Sequence, residues 1–257
     1  MSEGGAGPGA LPAALELVAG GPVRLRLAAP ASKSVTNRAL LCAALADGQT
    51  RLLGAAPSDD ADAMAAALAQ LGAGLEVGSP ARWTVTGTGG RLASPGRALD
   101  ARLSGTTMRF LGAAVTLTPD GATVTGRPPL LRRPVGPLVA ALRALGAAVA
   151  DAGGGLPPVT AAGGGLRGGP ASVDAAASSQ FASAVLLVAP YADREVRLTA
   201  ERLGAGAYVE LTAALMRRFG AEVERLGEDA WRVEAGRPYR AADLAVEYDA
   251  SAAAHLF

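Results

Sequence analysis

The sequence predicts an α/β fold built from one unit repeated three times, and three observations carry that prediction. A phrase that closes an amphipathic helix recurs as Leu68-Ala69-Gln70-Leu71-Gly72-Ala73, Leu142-Arg143-Ala144-Leu145-Gly146-Ala147 and Leu215-Met216-Arg217-Arg218-Phe219-Gly220-Ala221, with its glycines 74 residues apart each time. A polar, Ser/Thr-rich start leading into an apolar helix recurs over 34–47, 104–117 and 178–192. Between the two helices of each copy lies a β-like run, at 50–53, 122–125 and 195–198. Self-similarity at a fixed period is the mark of a stacked supersecondary unit; here the unit is helix, strand, helix, strand, strand.

Each element has a local reason. The first helix of each unit is apolar nearly all round, which predicts burial. In the second helix Met64, Leu68 and Leu71 share one face, as do Leu138, Leu142 and Leu145, so these helices should be half-buried. Gly72, Gly146 and Gly220 fit helix C-caps, where glycine accepts a left-handed backbone. Strand-like runs follow: Trp83-Thr84-Val85-Thr86-Gly87, then Pro158-Val159-Thr160, then Trp231-Arg232-Val233-Glu234. The two tryptophans fall at equivalent strand positions and read as packing residues. Ser58-Asp59-Asp60 is a helix N-cap followed by first-turn acids. A fourth unit then begins, with a strand-like Leu244-Ala245-Val246-Glu247-Tyr248-Asp249 and a Ser-containing helix start that meets the chain end at Phe257. A helix of two turns cannot bury a face, so the expectation is a piece of a longer protein.

Composition narrows the function classes. The chain has 257 residues, a net charge of +1 and 4% aromatic residues, which speaks against nucleic-acid surfaces and base-stacking platforms. No window of about 18 apolar residues escapes charges or Gly/Pro breaks, so no membrane span is expected. The single cysteine, Cys42, excludes an internal disulfide, fits a reducing cytoplasm, and lies in an apolar run as a small core residue. The leader, 1–12, lacks the basic start and apolar core of a signal peptide. There is no metal-ligand cluster, no nucleotide-binding glycine fingerprint and no Ser-His-Asp set, the only histidine being His255 near the chain end.

Four segments at helix starts or the loops before them carry candidate chemistry. Ser32-Lys33-Ser34-Val35-Thr36-Asn37-Arg38 places Lys33 and Arg38 where unpaired backbone N–H groups and the positive helix end already favour an anion. Ser104-Gly105-Thr106-Thr107-Met108-Arg109 lets a ligand approach the backbone at Gly105. Gly126-Arg127-Pro128-Pro129-Leu130-Leu131-Arg132-Arg133-Pro134 is a stiff cationic loop suited to gripping a carboxylate or phosphate. Ser178-Ser179-Gln180 offers two hydroxyls and an amide, which suit a phosphate monoester on a hydroxylated ring. Ordinary N-caps account for the serines equally well at this stage, and a solvated surface loop for the arginines.

The motifs Ser32 to Leu40, Ser104 to Arg109 and Ser178-Ser179-Gln180-Phe181, together with Arg133-Pro134-Val135-Gly136-Pro137-Leu138, occur in the order and spacing of the 5-enolpyruvylshikimate-3-phosphate synthase family, which the chain resembles from about Leu25 to Phe257. The resemblance implies an inside-out α/β barrel of two domains, each of three βαβαββ units. It divides this chain into 1–24 (leader and a first strand belonging to the other domain), 25–243 (one complete three-repeat domain) and 244–257 (the start of the second). It implies transfer of the enolpyruvyl group of phosphoenolpyruvate to the 5-hydroxyl of shikimate 3-phosphate, with release of phosphate and without metal or organic cofactor. The implied setting is a cytoplasmic protein, monomeric at full length, without nucleic-acid or membrane partners.

The implied roles are Lys33 at the reacting centre and on phosphoenolpyruvate, Ser34 and Arg38 on the shikimate carboxylate, and Gly105 and Arg133 on phosphoenolpyruvate. Ser178 and Ser179 fall on the 3-phosphate, and Gln180 against the ring. The related sugar-nucleotide enolpyruvyl transferases share the fold, but carry Lys-Asn where this chain has Lys33-Ser34, and usually a loop cysteine that is missing from 127–133. This chain departs from the pattern at Gly204-Ala205, where a serine is usual, and at Phe110, where a proline is common. The family's carboxylate acid/base pair comes from the second domain, so little or no turnover is expected of these 257 residues alone.

Overall fold

The computed structural model describes residues 20, 21, 24, 26–78, 82–204 and 206–254. The expected leader falls almost wholly outside them, as do Ala205 and His255.

The order of elements is α1 (Lys33–Leu45), β1 (Gln49–Leu53), α2 (Asp59–Gln70), β2 (Gly74–Gly78), β3 (Arg82–Thr86), β4 (Leu99–Asp100), α3 (Gly105–Ala114), β5 (Ala122–Thr125), α4 (Gly136–Ala144), β6 (Val149–Asp151), β7 (Val159–Ala161), β8 (Gly169–Asp174), α5 (Gln180–Val188), β9 (Val196–Glu201), α6 (Gly206–Arg218), β10 (Val223–Arg225), β11 (Ala230–Val233), β12 (Leu244–Ala245) and a four-residue α7 (Ala250–Ala253). They form three four-stranded sheets, ordered β12-β1-β3-β2, β4-β5-β7-β6 and β8-β9-β11-β10. In each sheet the outer pair named first is parallel and the rest is antiparallel.

The helices lie inside the sheets. Each packs on the next in chain order, α6 returns to α1, and the first helices of the three units also touch one another. Burial explains their sequences. Val35–Leu45 of α1, Thr107–Ala114 of α3 and Phe181–Val188 of α5 are buried without a break, which is why no polar face interrupts them. Many of these positions are alanine, and small residues at a helix contact let the axes approach. The second helices bury a single stripe, such as Leu138, Val139, Ala141 and Leu142 of α4. Each fully buried leucine contributes about 2 kcal/mol.

The repeat extends to individual hydrogen bonds. Gly72, Gly146 and Gly220 have φ of 98°, 90° and 87°. Behind them the N–H groups of Ala73, Ala147 and Ala221 reach back to the carbonyls of Leu68, Leu142 and Met216. These are three copies of the Schellman stop. Arg143 and Arg217 each donate from Nε to the carbonyl six residues on, at 2.7 and 2.8 Å. Between units, Tyr191 donates its hydroxyl to the Leu45 carbonyl at 2.6 Å and accepts from the Tyr239 N–H.

Leu244 and Ala245, assigned from sequence to the start of another domain, pair in parallel with Leu52 and Leu53 of β1. They supply the first unit with the leading strand that β4 and β8 supply to the others. The physical reason is sheet closure: without β12 the backbone of β1 would present an open edge. The chain enters and leaves side by side, with the Ser32 N–H bonded to the Glu247 carbonyl and the Asp249 N–H to the Pro30 carbonyl.

Candidate active site

The starts of α1, α3 and α5 occupy equivalent points of the three units but do different work. Ser32 and Ser104 are N-caps: their hydroxyls accept from the N–H groups of Val35 at 3.3 Å and Thr107 at 3.1 Å. Ser179 at the start of α5 makes no such bond. Ser178, one residue earlier, accepts from the Gln180 N–H at 3.2 Å and from Arg109 Nη1 at 3.2 Å.

A cavity of about 420 Å³ opens between α1 and the start of α5, lined by Ser34, Arg38, Ala175 to Gln180, Gly204 and Tyr208. Arg38 is only 2% exposed. Its Nε donates to Thr212 Oγ1 at 2.7 Å, Nη1 to the Ser34 carbonyl at 2.9 Å, and Nη2 to Ser183 Oγ and the Tyr208 carbonyl, both at 3.3 Å. Its guanidinium lies over Phe110, 5.2 Å from the ring centre. All of these partners are neutral, so burial pushes the guanidinium down to about 10. No carboxylate is among the lining residues. A cation held in apolar and hydroxyl surroundings without a counter-charge is a receptor for one.

A second cationic corner adjoins the first through Gln180. A side-chain atom on Gly105 would stand 3.2 Å from Arg133 Nη1, 3.6 Å from Arg109 Nη1 and 3.9 Å from Gln180 Oε1. Two guanidinium groups therefore converge where the backbone of α3 begins, and glycine leaves the space there open. Arg109 is 8% exposed and donates to Gln180 Oε1 at 2.6 Å and to the Pro134 carbonyl at 3.4 Å, with its carbon 4.8 Å from the Phe181 ring centre. Desolvation, with Arg133 nearby, pushes it down to about 10.

Of the residues singled out from sequence, Ser34, Arg38, Ser178, Ser179 and Gln180 share one cavity, and Gly105 faces Arg133 and Gln180 beside it. Lys33 is exposed at the first position of α1, next to Ser34 but not among the lining residues. Arg127 and Arg132 of the cationic loop are exposed and make none of the contacts described at the site. Sequence reasoning left out Arg109, although its place four residues after Gly105 puts it on the same helix face. It also left out Thr212 and Ser183, which no local pattern marks. Phe110, which stands where a proline is common, lies fully buried beneath Arg38.

Fold and site together define a class: a three-repeat α/β domain with its helices inside and cations gathered at the helix starts. Residues 18–257 match the family described as EPSP synthase (3-phosphoshikimate 1-carboxyvinyltransferase), and the chain belongs to it. It is 45% identical over 240 residues to the 3-phosphoshikimate 1-carboxyvinyltransferase of Methanoculleus marisnigri, covering 92% of this chain and 56% of that protein. Identity to the protein of the same name from Rhizobium leguminosarum bv. trifolii is 44%, over 93% of this chain and 57% of that one. The solved structure of EPSP synthase from Acinetobacter baumannii superposes with a TM-score of 0.81 at 29% identity, covering 89% of this chain and 51% of that chain. The chain therefore spans about half the length of the curated relatives it matches. Among the described residues no helix is long and apolar enough to cross a membrane.

Proposed function

We propose that this chain forms the shikimate 3-phosphate-holding side of an enzyme that moves the enolpyruvyl group of phosphoenolpyruvate to the 5-hydroxyl of that ligand and releases phosphate. The observation that carries the reading is the buried, uncompensated Arg38 in one cavity with Ser178, Ser179 and Gln180. Arg38 and Ser34 hold the ring carboxylate, Ser178 and Ser179 the 3-phosphate, and Gln180 lies against the ring. Gly105 and Arg133 take phosphoenolpyruvate, and Lys33 serves the reacting centre. A new C–O bond forms between the 5-oxygen and C2 of phosphoenolpyruvate, the bond from C2 to the phosphate oxygen breaks, and in the net reaction the 5-hydroxyl proton leaves with the released phosphate. Two anions are brought together, so charge neutralisation and orientation are the main contribution of these residues.

No carboxylate lines the cavity, so the reading assigns this chain binding and orientation rather than proton transfer by an acid/base pair. It extends to a cytoplasmic protein that is monomeric at full length, which sedimentation of the full-length protein checks for its second part. Calorimetry of the 257-residue chain with shikimate 3-phosphate is the test. Stoichiometric binding that is lost in Arg38→Met is expected, and no binding by a folded chain overturns the reading. A phosphate-release assay with both substrates should show no turnover by the chain alone; robust turnover refutes that assignment.

A further inference from the structure

We propose that Arg109 is a positioning residue that turns Ser178 and Gln180 into hydrogen-bond donors toward the cavity, so that the site selects a ligand presenting acceptor oxygens. The ligand named in the test rests on the function proposed above; the arrangement of Arg109 does not.

The geometry works through one nitrogen. Arg109 Nη1 donates to Gln180 Oε1 at 2.6 Å and to Ser178 Oγ at 3.2 Å. Gln180 Nε2 donates to Thr106 Oγ1 at 3.0 Å. Thr106 and Arg109 stand three residues apart on α3 and so share a face. Reversing the amide would set its NH₂ against the guanidinium, donor on donor, at the site of the shortest bond. Thr106 imposes no such choice, because a hydroxyl donates or accepts. The cation alone therefore sets the amide. With Oε1 engaged by a charged donor and one N–H by Thr106, the second Nε2 N–H is the strong group left over.

Ser178 is constrained in the same way. Its oxygen accepts from Arg109 and from the Gln180 backbone N–H, at 3.2 Å each. A hydroxyl has two lone pairs and one hydrogen. With both lone pairs occupied, only the hydrogen remains, and it must donate. Ser178 and Gln180 both line the cavity with Arg38. A phosphate dianion or another group made only of acceptors fits this polarity, and a group that must donate does not. A neutral residue in place of Arg109 would free the amide to turn and release a lone pair on Ser178.

Three measurements on the full chain decide the matter. Arg109→Met should weaken shikimate 3-phosphate binding by about tenfold or more, the scale of charged hydrogen bonds, with circular dichroism unchanged. Arg109→Lys keeps the charge but its ammonium ends one bond short of the Nη1 position that reaches both partners, so it should stay within about threefold of the methionine variant; full affinity in the lysine variant would show that field alone matters and overturn the proposal. In a Ser178→Ala/Gln180→Ala background, Arg109→Met should add less than about a twofold loss, and an additive loss would also overturn it. A ligand-free readout separates this proposal from the function reading. The Gln180 side-chain carbonyl ¹³C and amide resonances of the free chain should shift in Arg109→Lys. If they do not, the positioning role is refuted even where the ligand binds; if they do while no shikimate 3-phosphate binds the wild-type chain, it is the function reading that fails.

Discussion

Replacing Arg38 by methionine separates what the cation does to the fold from what it does in the site. Burial lowers the guanidinium to about 10, and at about 1.4 kcal/mol per decade keeping it charged costs about 3 kcal/mol. Methionine removes that cost and buries an apolar chain of similar length, a gain of about 2 kcal/mol. Against this stand the lost hydrogen bonds to Thr212, Ser183, Ser34 and Tyr208, about 1 kcal/mol each, and the stacking on Phe110, also about 1 kcal/mol. No hydroxyl is orphaned. Thr212 Oγ1 lies 2.9 Å from Ser183 Oγ and 2.9 Å from the Tyr208 carbonyl, so the pair closes on itself.

The opposing effects nearly cancel, as replacement of buried ions by apolar residues often does. Stability should change by less than about 2 kcal/mol, which is roughly 6 °C in Tm for a chain of this size. Affinity should behave differently. Removing one partner of a desolvated charge pair costs about 2 to 5 kcal/mol, so shikimate 3-phosphate should bind about 30-fold more weakly or worse. Differential scanning fluorimetry and calorimetry on the same sample decide it. A Tm lowered by more than about 10 °C, or an affinity left unchanged, would refute the reasoning that Arg38 is held for a ligand at little net gain to the fold.

Gly220→Ala should lose about 1 kcal/mol in urea unfolding, because an L side chain is strained at φ of 87°. Gly146→Ala should lose a little more, since its new carbon would stand 2.8 Å from Arg167 Cγ, a side chain able to move. Gly90→Ala should be far worse, by about 3 kcal/mol or more. There φ is 78° and the added carbon would fall 2.4 Å from the ring of Tyr191, which cannot retreat while its hydroxyl is tied to Leu45. Pairing Gly90→Ala with Tyr191→Leu should be milder than the sum of the two, and strict additivity would contradict the clash. Burial pushes the Cys42 thiol from 9.0 up to about 12. Between those values the unfolded chain has lost its proton while the folded chain keeps it, so stability present below pH 9 declines as pH rises through this window. Denaturant midpoints should fall less steeply over that range in Cys42→Ala. Ellman's reagent at pH 8 should leave the native thiol untouched, and rapid labelling without denaturant would contradict its burial.

Much of the fold was legible because its signals are local and occur three times. Gly72, Gly146 and Gly220 stop helices within one turn of their own sequence, and the apolar runs of α1, α3 and α5 announce their burial without reference to any partner. The missed features are those made between distant parts of the chain. The strand that completes the first sheet comes from Leu244-Ala245, nearly 200 residues beyond β1. Thr212 meets Arg38 across 174 residues of sequence. Nothing in the run Leu211-Thr212-Ala213 distinguishes a threonine that braces a cation from one that fills space. Phe110 was legible as a departure, but its position under Arg38 was not.

By itself the sequence determined the repeat, the six main helices with the strands that follow them in each unit, and the chemical character of the helix starts, because periodicity, caps and glycine stops act within a few residues; the leading strands β4 and β8 carried no such signal. Tertiary structure alone decided which of those starts share a cavity and which merely cap a helix. It closed the first sheet with a strand from the far end of the chain, and among the described residues it left Arg38 and Arg109 buried without a carboxylate hydrogen-bonded to them. The physical reason is that charge compensation and hydrogen-bond polarity depend on what lies within about 3 Å in space, and sequence distance says nothing about that. Lys33-Ser34 and Ser178-Ser179-Gln180 were legible as suited to an anion; only folding brought Ser34, Ser178, Ser179 and Gln180 around one space.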